Sequence, residues 1–578
     1  MPVPVYLDLI VIAAMNLVLS FIAFGLPGRE SRIKVEREDY DRVPRSFLRR
    51  VVGIVVVSIV FGLFLIIGEV PFLYQFLFDL VLVGLIVSAL RLRENDSQRR
   101  TAAALIVVFL LTGVGAGAYY GVYAQVNDSY YFNSLLNFKP GDTLFSNSTL
   151  QIGKLPLVSE DYANSIASSH LSDFGGSVQL VDDEQIINGG QPYWIFTVAP
   201  TNTFAENKEL GFILVDAVNG SYYEVKSQNT IGPGLFFLNE INLHSYLDDT
   251  SIVIGNHYPT PPSANFSTIY YVFTQSQVRL DGVTAFNGGV IYGQNGSVVS
   301  QYGGLDSPPY VNQPWDKFLV ANLASQWGST RASNGSFSIF AGGFFTIPAS
   351  QYRLALSSDE ELIPYKNGTA LMLFMSPANA PNSLEGVILA YRNQFTFYNM
   401  EGMNLVSPDY AKATVQSKLP ALSNGQLFAA NPVIYPEANG FVWIVPYYYD
   451  SGTGIVQFQG IAVMDASNAG NLVIQPSQGS IGQTRDLALA GLLNGTSTNA
   501  TTTTRSVNGT VQSFVTYVQG GNTYASIGLN GTYYYATANT LPLSQWVQAL
   551  QLKTGDIVQL QVQGQEIVGL MLVSQPAG

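Results

Sequence analysis

One stretch of this chain occurs twice. Leu157-Val158-Ser159-Glu160-Asp161-Tyr162-Ala163 returns as Leu405-Val406-Ser407-Pro408-Asp409-Tyr410-Ala411, with six identities in seven positions at an offset of 248. Trp194-Ile195 then matches Trp443-Ile444, Gly211 matches Gly460, and Asp216-Ala217 with Asn219 matches Asp465-Ala466 with Asn468, all at an offset of 249. One inserted residue reconciles the two registers. Ordered agreement of this kind marks a duplicated folding unit, here at 155–230 and 403–478.

Each copy predicts a helix and then a small antiparallel sheet. Ser159 can cap a helix whose apolar face is Tyr162, Ala163, Ile166, Ala167, Leu171 and Phe174, spaced by threes and fours. In the second copy Pro408 follows Ser407 at the first helical position, which proline favours. Strand-like runs follow in both, YWIFTVAP and GFILVDAVNGSYYEV in the first, FVWIVPYYY and GIAVMDASNAGNLVIQ in the second. A degenerate third copy is expected between them, with a helix at Pro314 to Trp327. The plan of helix then hairpin, closing on Asp216-Ala217-x-x-Gly220, resembles the PepSY-type extracytoplasmic module; the second copy departs from it, with Gly470 one place late. The resemblance implies a binding or regulatory module rather than a catalyst.

The remainder of the chain is uneven in character. Four apolar runs, Leu9 to Leu26, Val51 to Gly68, Phe72 to Leu90 and Thr101 to Val122, precede the β-rich part. Each has about the 17 to 25 residues that a membrane span requires. Residues 1–122 hold 12 of the 27 Lys and Arg, all of them in two alternate loops, and 10 of the 40 Asp and Glu. The positive-inside rule then places those loops in the cytoplasm and both the N-terminus and the large C-terminal part outside. The expected fold class is therefore a membrane α-helical bundle of four transmembrane helices, followed by a mainly β, α+β repeat ectodomain. In this reading 1–123 is the membrane domain, 124–300 carries the first repeat, 301–402 the degenerate one and 403–490 the second. Residues 491–510 form a Ser/Thr/Asn-rich linker and 511–578 a small β domain.

Candidate sites are few. Asn-x-Ser/Thr sequons past residue 123 stand at Asn127, Asn147, Asn219, Asn265, Asn295, Asn334, Asn367, Asn494, Asn499, Asn508 and Asn530. They are candidates for glycosylation of exported chain. Seven are Asn-Gly, which between strand formers predicts type I′ hairpin turns. In the expected bundle, Asp79 and Asn16 are intramembrane polar groups that can pair. Gly113, Gly117 and Gly121 form a small-residue strip for helix packing.

For chemistry there is little. With no cysteine, disulfides and thiolate sites are absent. The three histidines, His170, His244 and His257, match no zinc spacing, even with Asp248 and Asp249 near. Acidic clusters at Asp182-Asp183-Glu184 and Asp359-Glu360-Glu361 read as solvated loops with at most weak calcium affinity. Tyrosine clusters such as Tyr447-Tyr448-Tyr449 read as strand packing. Past residue 122 only 15 basic residues face 30 acidic ones, which excludes a nucleic-acid footprint. No catalytic residue, cofactor or metal is assigned. The expected function is a multi-pass plasma-membrane glycoprotein with a non-catalytic binding or structural ectodomain of the cell envelope. Its expected partners are the lipid bilayer and other membrane or envelope proteins, or copies of itself. An accessory subunit of a membrane redox or transport complex, and an extracellular hydrolase, are the alternatives.

Overall fold

A computed structural model describes Ala14 and residues 81–82, 84–85, 96–118, 124–145, 150–263, 266–279, 282–330, 354–357, 361–366, 368–422, 425–437, 440–452, 454–493, 505–519, 522–529, 532–537, 541–563 and 566–574. Within them the β-rich character expected beyond the apolar runs holds. Four antiparallel sheets follow one another in chain order, each a meander and each preceded by a helix.

Blade I consists of Val178–Asn188, Gln191–Pro200, Gly211–Asp216 and Tyr222–Lys226, after the helix Glu160–Ser169. Blade II consists of Ile252–Thr260, Tyr270–Val278, Thr284–Tyr292 and Val298–Gly303, after the helix Ile241–Asp248. In blade III, after the helix Lys317–Ser329, two short strands, Leu354–Leu356 and Glu361–Tyr365, both pair with Gly368–Pro377. Gly386–Tyr391 and Gln394–Asn399 complete the meander, and Leu136–Pro140 adds a parallel outer strand. Blade IV, after the helix Pro408–Lys418, repeats that split, with Gln426–Ala429 and Val433–Glu437 both on Gly440–Asp450, then Val456–Asp465 and Asn468–Pro476.

Alternation along the strands decides how the blades assemble, because successive side chains point to opposite faces. In blade I, Ile195, Phe212 and Leu214 meet Tyr258, Tyr271 and Tyr292 of blade II. Their neighbours Phe196, Val198, Ile213 and Val215 meet Val442, Ile444, Ile461 and Val463 of blade IV. The other face of blade IV, with Trp443, Val445 and Met464, meets Met372, Phe374 and Leu389 of blade III. Blade III turns Leu371, Leu373, Ile388 and Phe397 to the helices Ala124–Leu135 and Lys317–Ser329. These reach blade II, where Phe286 stacks on Phe395 at 5.6 Å. Burial on both faces is why Gly211–Asp216 is apolar throughout rather than alternating.

The sheets thus close a ring in the order I, II, III, IV. The first strand of blade I touches the first strands of blades II and III at the axis, and the outermost strands are mostly exposed. This is the arrangement of a four-bladed β-propeller. In each blade the third strand carries a glycine, Gly211, Gly288, Gly386 or Gly460. A Cβ at Gly211 would lie 2.1 Å from the Val225 carbonyl oxygen, and one at Gly288 2.0 Å from that of Tyr302.

The two copies have matching local structure. Ser159 accepts from the Tyr162 amide and Ser407 from the Tyr410 amide, both at 3.3 Å. Trp194 donates to the Val158 carbonyl at 2.8 Å and Trp443 to the Val406 carbonyl at 3.1 Å. The Asn-Gly turns differ from expectation: Gly220 and Gly296 have positive φ, whereas Asn219 and Asn295 do not, so neither turn is type I′. Asp216 supplies the reason, since its Oδ1 accepts from the Val218 and Asn219 amides and thereby fixes the turn itself.

After the helix Ile481–Leu493 comes a closed five-stranded barrel that begins at Arg505, inside the stretch expected to be linker. Its order is 1-2-3-5-4-1, its third and fifth strands are parallel, and the helix Leu543–Leu550 lies between the third and fourth, the connectivity of an OB-fold.

The four-span bundle requires correction. Among the described residues no helix is long and apolar enough to cross a membrane, which says nothing about strands. The first three apolar runs, with Asn16 and Asp79, lie almost wholly outside the described residues. Of the fourth, residues 101–118 lie in the helix Asp96–Ala118, whose start carries Asp96, Arg99 and Arg100, and 119–122 lie outside the described residues. On that helix a Cβ at Gly113 would sit 3.3 Å from the Val81 side chain, while Val107, Val108, Leu110, Leu111 and Val114 are exposed. Gly117 lies on this helix and Gly121 outside the described residues. A further sequon, Asn95-Asp96-Ser97, stands before the fourth apolar run, in a segment that the positive-inside rule would place in the cytoplasm. The multi-pass plasma-membrane placement, and the orientation built on it, fall with the bundle.

Candidate functional site

Near the axis, where blades I, III and IV converge, a cleft of about 300 Å³ is lined by Glu160, Asp161, Gln185, Trp194, Glu361, Lys412, Phe428 and Asn431, among others. A second groove, of about 760 Å³, runs between the two repeated helices and shares Asp161, Lys412 and Phe428 with it. Asn164, Ser165, Gln416, Gln426 and Asp450 extend the polar lining there.

The cleft is built from the starts of elements. Ser159 caps its helix and so fixes Glu160 and Asp161 in the first turn, where the helix dipole favours carboxylates. The inner strand of blade I places Asp183 and Gln185 on one face and Asp182 and Glu184 on the other. Trp194 pairs in register with Gln185 and is held by its bond to the Val158 carbonyl. Glu361 opens the inner strand of blade III, and the Lys412 ammonium donates to Asn431 Oδ1 at 3.2 Å.

The electrostatics are one-sided. Partial burial pushes Glu160 up to about 7, helped by the charge of Asp183 and a hydrogen bond between the two carboxyl groups; Lys317 opposes the shift. Glu160 is nonetheless an exposed residue. Burial pushes Glu361 up to about 8, and its Oε2 is closed to solvent with no hydrogen-bond partner among the described residues.

On the opposite face Lys317 is already engaged, donating to Glu184 Oε2 at 2.8 Å while Asn256 donates to Oε1 at 3.0 Å. His257 Nε2 stands 3.4 Å from Asp182 Oδ2. Between blades I and II, Glu209 is fully buried and accepts from the Tyr271 hydroxyl at 2.5 Å and from Asn229 at 2.7 Å. Burial raises it to about 8, despite those two bonds.

The residues singled out in the sequence are scattered relative to this site. Asp182-Asp183-Glu184 is an inner strand at the axis rather than a solvated loop, and Glu361 begins another. Asp359 and Glu360 lie outside the described residues. His244 meets the Gly296 carbonyl at 3.2 Å, and Asp248 accepts from Tyr292. His170 stacks on Tyr222 at 3.7 Å and forms a surface trio with Asp173 and Glu224. Asn219 and Asn295 are exposed on turns, Asn508 is exposed on a barrel strand, and Asn127 is half-buried. Asn147, Asn265, Asn334, Asn367, Asn494, Asn499 and Asn530 lie outside the described residues. Of the lining groups, sequence reasoning assigned none to a site.

No family model matches the chain, and no curated protein does. Solved structures give only faint likenesses. A glycoside hydrolase is 7% identical, over 67% of this chain and 90% of its own, with a TM-score of 0.16. A B. megaterium levansucrase variant is 8% identical over 74% and 98%, with a TM-score of 0.18. A levansucrase variant from Bacillus subtilis is 9% identical over 63% and 96%, at 0.16. Scores this low carry no argument about function or fold.

Proposed function

We propose that the ring of blades is a non-catalytic binding module whose ligand is a polar molecule seated in the axial cleft. The observation that carries this reading is the make-up of the cleft wall. Glu160, Asp161, Gln185 and Asn431 stand with the Trp194 and Phe428 rings around a cleft of about 300 Å³. Convergent polar groups beside aromatic surface are what a polar ligand is held by. The continuing groove, with its amide and hydroxyl side chains, has the polarity and length for more than a single small group.

The test is thermal unfolding of the full chain against a panel of soluble oligosaccharides, amino compounds and short peptides. A saturable rise in melting temperature that disappears in Gln185→Ala and Glu361→Gln supports the reading. Ligands that stabilise both variants as well as wild type place binding elsewhere and overturn it.

A hydrolase is the second reading, favoured by the placement of two carboxyl residues, Glu160 and Glu361, in the lining of one cleft, where burial raises both toward the range of a general acid. Turnover of a glycan or peptide by the full chain, abolished in Glu361→Gln, would replace the first reading with this one.

A further inference from the structure

Blade I brings a histidine and two carboxylates together at the far end of the helix whose first turn lines the cleft. His170 closes the helix Glu160–Ser169, Asp173 stands three residues on in a short 3-10 turn, and Glu224 comes from the outermost strand Tyr222–Lys226. One ligand atom from each lies within 4.8 Å of the other two. His170 Nδ1 is 3.4 Å from Asp173 Oδ2. That is long for a hydrogen bond, whereas an ion bonded to nitrogen and oxygen at about 2.1 Å in a tetrahedral shell spaces its ligand atoms by about 3.4 Å. The Glu224 carboxylate has no hydrogen bond or ion pair among the described residues. Lys226, two residues on in the same strand, is engaged elsewhere: it donates to the Asp173 main-chain carbonyl at 2.8 Å and lies over the Phe174 ring. The imidazole itself is held by Tyr222, whose ring stacks on it at 3.7 Å.

We propose that His170, Asp173 and Glu224 bind a zinc ion that fastens the end of the helix to the edge strand of blade I. The site is independent of the reading of the cleft. A neutral imidazole with two carboxylates is a donor set for zinc, with water in the fourth position. Calcium instead takes six to eight oxygens, so the imidazole discriminates against it. The second copy keeps the plan of the blade and lacks all three groups. Counted from the serine caps, Lys418 and Ala421 stand where blade I has His170 and Asp173. Ile474, paired with Ala462, stands where Glu224 pairs with Ile213. Blade IV thus joins its helix to its outer strand without an ion, and the ligand set belongs to blade I alone. Because the strand Tyr222–Lys226 is paired on one side only, a metal staple there acts on the weakest edge of the blade.

The probe is Zn²⁺ titrated calorimetrically into the chelator-treated full chain, with Ca²⁺ as the comparison and Co²⁺ as the spectroscopic stand-in. Zinc is expected to raise the melting temperature, because it binds the folded chain, and to protect the Tyr222–Lys226 amides from hydrogen exchange. Excess calcium should not displace it. Cobalt in the site should show the intense visible bands of tetrahedral coordination. His170→Lys, which installs the group that blade IV has, and Glu224→Gln should each weaken zinc binding by more than about tenfold and remove both effects. Should one variant not fold, the other still decides. Equal zinc affinity in the wild type and the variants would put the ion elsewhere and overturn the proposal. Calcium bound as tightly as zinc would overturn it too, by reducing the cluster to its carboxylates, and so would a chain that takes up no zinc. Zinc that binds without moving the melting temperature or the strand amides is an adventitious ion only, and that result also overturns it.

Discussion

Blades I and IV are built from one plan, and they differ at the cleft. Both use a serine cap, a tryptophan clipped to the carbonyl before that serine, a glycine in the third strand and an aspartate in the turn after it. The single mismatch in the seven-residue repeat sets Glu160 against Pro408. Glu160 is an acid in the cleft; Pro408 is buried at the first helical position. The inner strands diverge too: in register with the matched tryptophans, Glu184-Gln185-Ile186 of blade I answers to Val433-Ile434-Tyr435 of blade IV. What the two copies share makes the fold; in the cleft wall the shared Asp161 and Trp194 stand beside Glu160 and Gln185, which the second copy lacks.

The sharpest way to break that comparison is to truncate the matched tryptophans. Trp443 is fully buried between blades III and IV, edge-on to Phe374 at 5.4 Å. Trp443→Ala should cost about 3–5 kcal/mol in stability. Trp194 is half-buried at the cleft wall, so Trp194→Ala should cost only about 1–3 kcal/mol and remove ligand binding. Urea titration of both full-length variants checks this. Equal losses would mean that the copies serve the same purpose.

Next comes the interface between blades I and II, which differs from the cleft in being sealed. Glu209 lies there with a value of about 8 against an ordinary 4.5. Between those two values the folded chain keeps a proton that the unfolded chain releases. Stability contributed by this group is therefore full below pH 4.5, falls as pH rises through the window, and levels off above about 8. Glu160 and Glu361 act in the same direction. Glu209→Gln keeps acceptor and shape and should flatten the fall by on the order of a few kcal/mol across the window. Melting temperatures from pH 5 to 9 decide, and an unchanged slope would place the shift elsewhere. Gly211→Ala should cost about 1–3 kcal/mol, since its Cβ would meet the Val225 carbonyl in a strand that is buried on both faces.

Part of this was legible in the sequence. The repeat, its caps and its strands are local features and could be read from spacing and turn chemistry. Ring closure could not, because it depends on which face of each strand meets which neighbour, and a strand buried on both faces loses the alternation that would have revealed it. Blade II escaped for the same reason: its helix Ile241–Asp248 is only eight residues long and is capped by Glu240 rather than by a serine. The acids were misread because a run of three carboxylates is usually solvated. Here they sit on an inner strand, where Asn256, His257 and Lys317 from other elements reach them. The apolar runs were read as membrane from their length and from the basic residues confined to alternate loops, and neither names the solvent that buries them.

The smallest effect tests whether the two copies are independent. Ser159 and Ser407 make the same cap at the same distance, yet Ser407 is fully buried and Ser159 is not. Losing a cap costs about 1 kcal/mol in general. At Ser159 water can reach the freed Tyr162 amide, so Ser159→Ala should fall below that figure. At Ser407 no water replaces the lost acceptor, so Ser407→Ala should exceed it. Native-state hydrogen exchange of the helix amides gives each cost locally, without assuming that the whole chain unfolds in one step. The double variant should show the sum of the two single costs, because distant sites without shared partners add. An excess over the sum would mean that the caps are coupled through the core where Val158 and Ala163 of blade I meet Val442 and Ile444 of blade IV.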